Sequence, residues 1–164
     1  MTVRNARLSD LRRVIEIERA SFGPECYSVT TFLAHVVRDR KGFFVAEEEG
    51  EVVGYALVRV KLGWLGRRRG GVTSIAVDPA RRRRGLGRAL MARALAYLQE
   101  RGVEDADLEV HVANRAAQSL YEAFGFRRSR LLPHYYGLHR DGLRMVLHMD
   151  RSARWERSER AHDG

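Results

Sequence analysis

The sequence predicts one α/β (α+β) domain on a mixed central sheet of about six to seven strands with about four helices. Three observations predict it. Short runs of period-two alternation are interleaved with stretches of helical period, which suits a sheet covered by helices. The 164 residues are 45% hydrophobic, enough for one full core. No internal repeat or low-complexity segment interrupts the chain.

Val3–Arg7 alternates weakly and reads as an edge strand. Ser9 stands where an N-cap belongs, before a helix with the apolar stripe Leu11, Val14, Ile15 and Phe22. Gly23-Pro24 ends that helix. A second helix near Thr30–Arg38 is expected to bury Phe32, Leu33, Val36 and Val37. Phe43–Glu47 and Val52–Val60, separated by Glu49-Gly50, read as a hairpin. Lys61–Gly71, rich in Gly and Arg, reads as a loop, and Val72–Val77 as a short strand stopped by Asp78-Pro79. Leu86, Leu90, Ala94, Tyr97 and Leu98 then recur at helical spacing, with Gly102 at the C-terminal end. Leu108–Val112 is a strand with Leu108, Val110 and Val112 on one face and Glu109 and His111 on the other. Asn114 suits the N-cap of a helix carrying Ala117, Leu120, Tyr121 and Phe124, ended by Gly125. Phe126–Leu132 and Leu143–Met149 read as a closing pair of strands. Residues 1–150 thus form the domain, and 151–164 a tail, polar apart from Trp155, that is expected to fray.

The net charge is +9, and of 30 basic residues only Lys41 and Lys61 are lysine. Codon bias toward arginine, a polyanionic ligand and proximity to nucleic acid all fit that composition. Cys26 is the single cysteine, so no intrachain disulfide forms and a reducing, cytoplasmic setting fits. The first thirty residues carry Arg4, Arg7, Asp10, Arg12, Arg13 and Glu16 with no apolar run, so no secretory signal is expected. No stretch approaches the roughly 18 apolar residues of a membrane span, so no membrane partner is expected.

Arg82-Arg83-Arg84-Gly85-Leu86-Gly87 lies between the strand Val72–Val77 and the next helix. A helix N-terminus offers unpaired amides and partial positive charge, and glycine lets backbone approach an anion closely. No Gly-Lys-Ser/Thr follows, so this is not a nucleotide P-loop, and the third glycine of a dinucleotide fingerprint is missing. Taken alone, the turn is equally a Gly-containing connection beside solvated arginines.

Arg82-x-x-Gly85-x-Gly87, preceded by Ser74-Ile75-Ala76-Val77-Asp78-Pro79, resembles the coenzyme A motif of the GNAT acetyltransferases. The stretch from Leu108 to Asn114, then Ala116-Ala117 and the run Leu120 to Phe126, resembles that family's second half. The similarity is greatest to its branch acting on protein N-termini, in bacteria the ribosomal-protein alanine N-acetyltransferases and in archaea the N-terminal acetyltransferases. Pro133-His134-Tyr135-Tyr136 with Asp141-Gly142 resembles their closing hairpin, and Glu25-Cys26-Tyr27 their first helix–helix loop. The resemblance covers about residues 3–150.

This resemblance implies the GNAT fold, acetyl-CoA as cofactor, and a protein or peptide N-terminus as substrate, with the ribosome a possible partner. Ile75, Ala76 and Val77 would lie against the pantetheine arm, and the amides of Arg83, Arg84, Gly85, Leu86, Gly87 and Arg88 would hold the pyrophosphate. Asn114 would contact the pantetheine or a water, which is compatible with capping its helix. Glu109 matches the general base, acting through water, and Tyr121 the general acid near the sulfur. Without the resemblance, Glu109 reads as a strand carboxylate in a salt bridge and Tyr121 as a packed aromatic. Phe22, Tyr27, Tyr135 and Tyr136 would clamp the first substrate residues, with one of the two adjacent tyrosines expected to pack between strands. Archaeal relatives often carry histidine, as a second base, where Gly71 stands here; His111 shares the face of Glu109 and could substitute.

Cys26 has no neighbouring base in sequence and reads as a bystander thiol. His134 and His139 lack a third ligand at metal spacing, so no metal is expected. Gly63–Gly71, with Arg67 to Arg69, reads either as an RNA-binding loop or as a solvated connection. The rival functions are the same fold acting on a lysine or small amine, and an inactive ribosome- or RNA-binding module.

Overall fold

The computed structural model describes residues 1–149, so the 151–164 tail and Trp155 lie outside the described residues. Strands β1 (Thr2–Asn5), β2 (Phe43–Glu48), β3 (Glu51–Leu62), β4 (Arg68–Val77), β5 (Asp105–His111), β6 (Arg127–Leu132) and β7 (Gly142–His148) alternate with helices α1 (Leu11–Phe22), α2 (Val29–Asp39), α3 (Leu86–Glu100) and α4 (Arg115–Ala123). The strands form a single seven-stranded sheet in the order β1-β2-β3-β4-β5-β7-β6. All neighbours are antiparallel except β4 and β5. This is the expected mixed sheet with four helices.

Both faces of the sheet are covered, which explains why β2 reads as an unbroken apolar run rather than an alternating one. Phe43 and Val45 pack with Val14, Ile17 and Phe32 of α1 and α2. Phe44 and Ala46 face the opposite core, with Leu90, Ala94 and Leu98 of α3 and Tyr121 of α4. The guanidinium of Arg93 lies 4.6 Å over the Phe44 ring, so an arginine stem closes that core at its rim.

Several boundaries differ from the sequence reading. Arg68–Gly71 are strand, not loop: Lys61 pairs with Arg69 and Leu62 with Arg68, extending the β3–β4 hairpin. Backbone pairing there needs no apolar side chains, so arginine and glycine content concealed it. Ser9 does not cap α1. It sits in a tight turn, Leu8–Asp10, where the Asp10 carboxylate accepts hydrogen bonds from the Arg7 amide (2.7 Å) and the Arg4 guanidinium. Helix α2 buries Phe32 and part of Val36, whereas Leu33 and Val37 are exposed. Asn114 caps α4 as expected, its Oδ1 accepting from the Ala117 amide at 3.1 Å.

The β4–β5 pairing positions everything that follows. It is confined to Arg69↔Asp105, Gly70↔Ala106 and Gly71↔Asp107, after which the two strands part. A Cβ on Gly71 would overlap the Asp107 carbonyl and the Arg59 guanidinium, so only glycine permits this approach. Arg59 and Asp107 form a close ion pair across it. A bulge follows at once: Val58 pairs with Val72 and Leu57 with Ser74, leaving Thr73 as the extra residue of β4.

Candidate active site

Where β4 and β5 diverge, the protein opens into two adjoining cavities. One, about 650 Å³, is walled by Val72–Ile75 of β4 and Leu108–His111 of β5, with Glu18, Glu25, Tyr27, Tyr135, Tyr136 and Arg140 around it. The other, about 380 Å³, runs along Ile75–Val77 to the start of α3. Ser21, Phe22, Ile75, Asn114, Ala117 and Tyr121 line both, so the two form one continuous cleft.

The smaller cavity contains the turn Arg82–Gly87. Gly85 is the N-cap of α3 in the left-handed region (φ 78°), and no side chain caps the helix. Arg83 is also left-handed (φ 65°). Two such residues bracketing Arg84 turn backbone amides into a concavity at a helix start, which is anion-binding geometry. A Cβ at Gly85 would meet nothing within 4 Å, so the space before the amides is open. Ile75, Ala76, Val77, Arg83, Gly85, Leu86, Gly87, Arg88 and Asn114 all line this cavity. Arg84 does not; it turns outward to Glu48 at 3.9 Å. Arg82 is positioned by hydrogen bonds to the Val77 carbonyl and the Ser21 hydroxyl, both 3.2 Å.

The larger cavity carries the titratable groups. Glu109 lines it and accepts two hydrogen bonds on Oε1 from Arg144 of the adjacent β7, from Nη2 at 2.9 Å and Nε at 3.2 Å. The salt bridge expected of a plain strand carboxylate is therefore present, and it leaves Oε2 without a hydrogen bond among the described residues. Tyr121 is buried with its ring edge-on to Phe126, and burial pushes its phenol well above the usual range. The packed-aromatic role and a position on the cleft wall thus coexist. His111 stacks on Tyr136 (5.5 Å), and its Nδ1 accepts the Ala113 amide at 3.0 Å, which fixes the ring in place.

Phe22, Tyr27, Tyr135 and Tyr136 converge on this cavity. Tyr135 and Tyr136 sit in the β6–β7 turn rather than on a strand; Tyr135 lies against Gly142 of β7, Tyr136 stacks on His111 of β5, and both residues line the cleft. Burial, first of all, raises the phenol of Tyr136, and burial with the nearby Tyr135 and Glu109 raises that of Tyr27.

Three further polar residues escape a reading of sequence alone. Glu18 is fully buried, its Oε1 accepting the Tyr27 amide (2.7 Å) and its Oε2 the hydroxyls of Tyr55 and Ser74. Burial raises its carboxyl, against the opposing effect of these donors. Among the described residues, the buried Thr73 Oγ1 lacks any hydrogen bond and the buried Glu25 Oε1 has only the close contact of the Arg140 guanidinium; both residues line this cavity. Unpaired buried polar atoms are rare, and Thr73 Oγ1 is left able to pair with a polar group in the cavity. The available signal was positional for Glu18, which falls on the inward stripe of Val14 and Ile17. For Thr73 there was none, since the bulge arises from pairing. Cys26 is not among the lining residues, and no group of three metal-ligating side chains occurs among the described residues.

Comparison with known proteins agrees with this geometry. Residues 9–126 match the acetyltransferase (GNAT) family. An N-alpha-acetyltransferase of Sulfurisphaera tokodaii is 39% identical over 142 residues, 82% of this chain and 84% of that protein. The ribosomal protein bS18-alanine N-acetyltransferase of Escherichia coli is 34% identical over 136 residues, covering 82% and 86%. The crystal structure of Ard1 from Thermoplasma volcanium superposes with a TM-score of 0.81 at 26% identity, over 91% of this chain and 97% of that one. A seven-stranded sheet parted at β4–β5, an uncapped helix start following β4 and these relatives together place the chain in the GNAT acetyltransferase family.

Proposed function

We propose that this protein transfers an acetyl group from acetyl-CoA to the α-amino group of peptide and protein N-termini, by direct attack within a ternary complex. The observation that carries the reading is the continuity of the cleft: Tyr121 and Asn114 line both the cavity at the α3 start and the cavity of Glu109 and the tyrosines. An acyl donor held along β4 and an amine arriving past Tyr27 would meet at Tyr121. The relatives named N-alpha-acetyltransferase favour an α-amine over other acceptors.

The residues present suit the cofactor. The uncapped start of α3, with left-handed Arg83 and Gly85, would hold its pyrophosphate on backbone amides, and Ile75–Val77 would lie along its pantetheine arm. Bound there, acetyl-CoA supplies an activated thioester acyl group. Glu109, through a water, takes a proton from the substrate ammonium so that the amine can attack, and Arg144 orients the carboxylate. Tyr121, whose phenol burial keeps protonated, would be the proton donor for the coenzyme A thiolate that leaves as the amide forms. Glu25 and Thr73 offer acceptors to the substrate's ammonium and backbone. A ribosomal protein N-terminus in a cytoplasmic setting is one natural substrate, given the name of the Escherichia coli relative.

The test is acetyl-CoA turnover on short peptides with free or blocked N-termini, with the acetylated position located by mass spectrometry. Acetylation of the free α-amine alone is expected, and modification only at lysine would overturn the reading.

A further inference from the structure

The mouth of the larger cavity is spanned by one ion pair. Glu25, in the loop after α1, meets Arg140, in the β6–β7 turn, across the opening. Among the described residues lining this cavity, Arg140 is the only arginine or lysine. The three lining glutamates differ in how they are held. Glu18 receives three donors and Glu109 a two-bonded arginine. Glu25 has a single partner, the partly exposed Arg140 guanidinium in close contact with its buried Oε1. It is therefore the carboxylate open to exchange.

A substrate α-ammonium carries the same charge as Arg140 and three freely oriented donors, so it can take the place of Arg140 at Glu25 Oε1. Arg140 then loses its anion while still lining the cavity. Its backbone does not leave with it. The turn is braced internally: Tyr136 N–H donates to the Arg140 carbonyl and Arg140 N–H to the Gly137 carbonyl, both 3.0 Å, and the His134 amide donates to Asp141 at 2.8 Å. The guanidinium swings on a fixed stem. With Glu18 and Glu109 already engaged, no free carboxylate of the cavity wall receives it.

We propose that Arg140 is a specificity-determining residue, an internal cation that the substrate's α-ammonium displaces from Glu25 and that then binds an acidic side chain at the second or third substrate residue. Substrates that begin with a free amine followed closely by Asp or Glu are thereby preferred. This rests on the reading that the acceptor is a peptide N-terminus.

The experiment compares matched peptides bearing Glu, Gln or Lys at the second or third residue, by kcat/KM for α-acetylation, in wild type, Arg140→Gln and Arg140→Glu. Ratios are taken within each variant, so any loss of folded protein cancels. Wild type is expected to favour Glu over Gln by about three- to fivefold, the scale of a partly exposed ion pair, and less so at high salt. Arg140→Gln brings the ratio to about one, and Arg140→Glu inverts the order in favour of Lys. Equal ratios in wild type and Arg140→Gln, with every peptide α-acetylated, overturn this inference alone. If no peptide is acetylated at its α-amine, the functional reading fails and takes the inference with it.

Discussion

Tyr121 combines two roles that sequence reading sets against each other: its ring packs on Phe126 while its residue forms the wall shared by both cavities. Removing only the hydroxyl separates them. Tyr121→Phe keeps the packing and is expected to lower kcat about a hundredfold, the scale of a lost proton donor, with little change in the KM for peptide. Because burial raises the phenol, no loss of activity between neutral and mildly alkaline pH is expected from Tyr121; a steady-state pH profile checks this. Only the family resemblance marked Glu109 and Tyr121 as site residues; from local pattern the Asn114 cap, the strand position of Glu109 and the helical stripe of Tyr121 were legible. Glu18, Thr73 and Arg140 were not. Glu18 owes its environment to Tyr55 and Ser74, residues of other elements, and Arg140 faces Glu25 only because two loops converge.

At the scale of elements, the meeting of β3, β4 and β5 at Arg59, Gly71 and Asp107 governs the opening of the sheet. The space beside Gly71 is filled by Arg59, held by Asp107. A side chain at 71 must push the strands apart: Gly71→Ala is expected to cost about 2–3 kcal/mol in urea unfolding, as overpacking does. Loss of the α4 cap in Asn114→Ala is smaller, about 1 kcal/mol by the same measurement. Element order and type were legible from period alone, and the Arg82–Gly87 turn from its place between a strand and a helix. The missed start of β4 has one physical cause. A two-stranded extension held by backbone pairing imposes no side-chain pattern, so nothing in Arg68–Gly71 announces it.

Over the whole molecule, two buried carboxylates set opposite limits on stability. Hydrogen bonds from Arg4 lower Asp10, so its contribution is present above the unfolded-state value and is lost as pH falls through the lower folded one. Burial raises Glu18, so its contribution is complete below the unfolded value and is lost as pH rises through the folded one. A Tm measured across pH should therefore decline on both sides, and Glu18→Gln should flatten the decline that begins as pH rises above the ordinary glutamate range, while keeping a polar group for Tyr55 and Tyr27. Glu18→Ala, which leaves those donors unmatched, should cost about 2–4 kcal/mol. The narrow seam between β4 and β5 has a mechanical consequence. Three residue pairs stitch two half-sheets, β1 to β4 and β5 to β7, into one. The molecule is built like a hinged book, and a ligand lying between the leaves acts as a clasp. Coenzyme A at a hundred times its Kd would then add about 2.7 kcal/mol to unfolding, seen as a raised Tm, and the largest slowing of amide exchange would fall on the two strands that flank the spine.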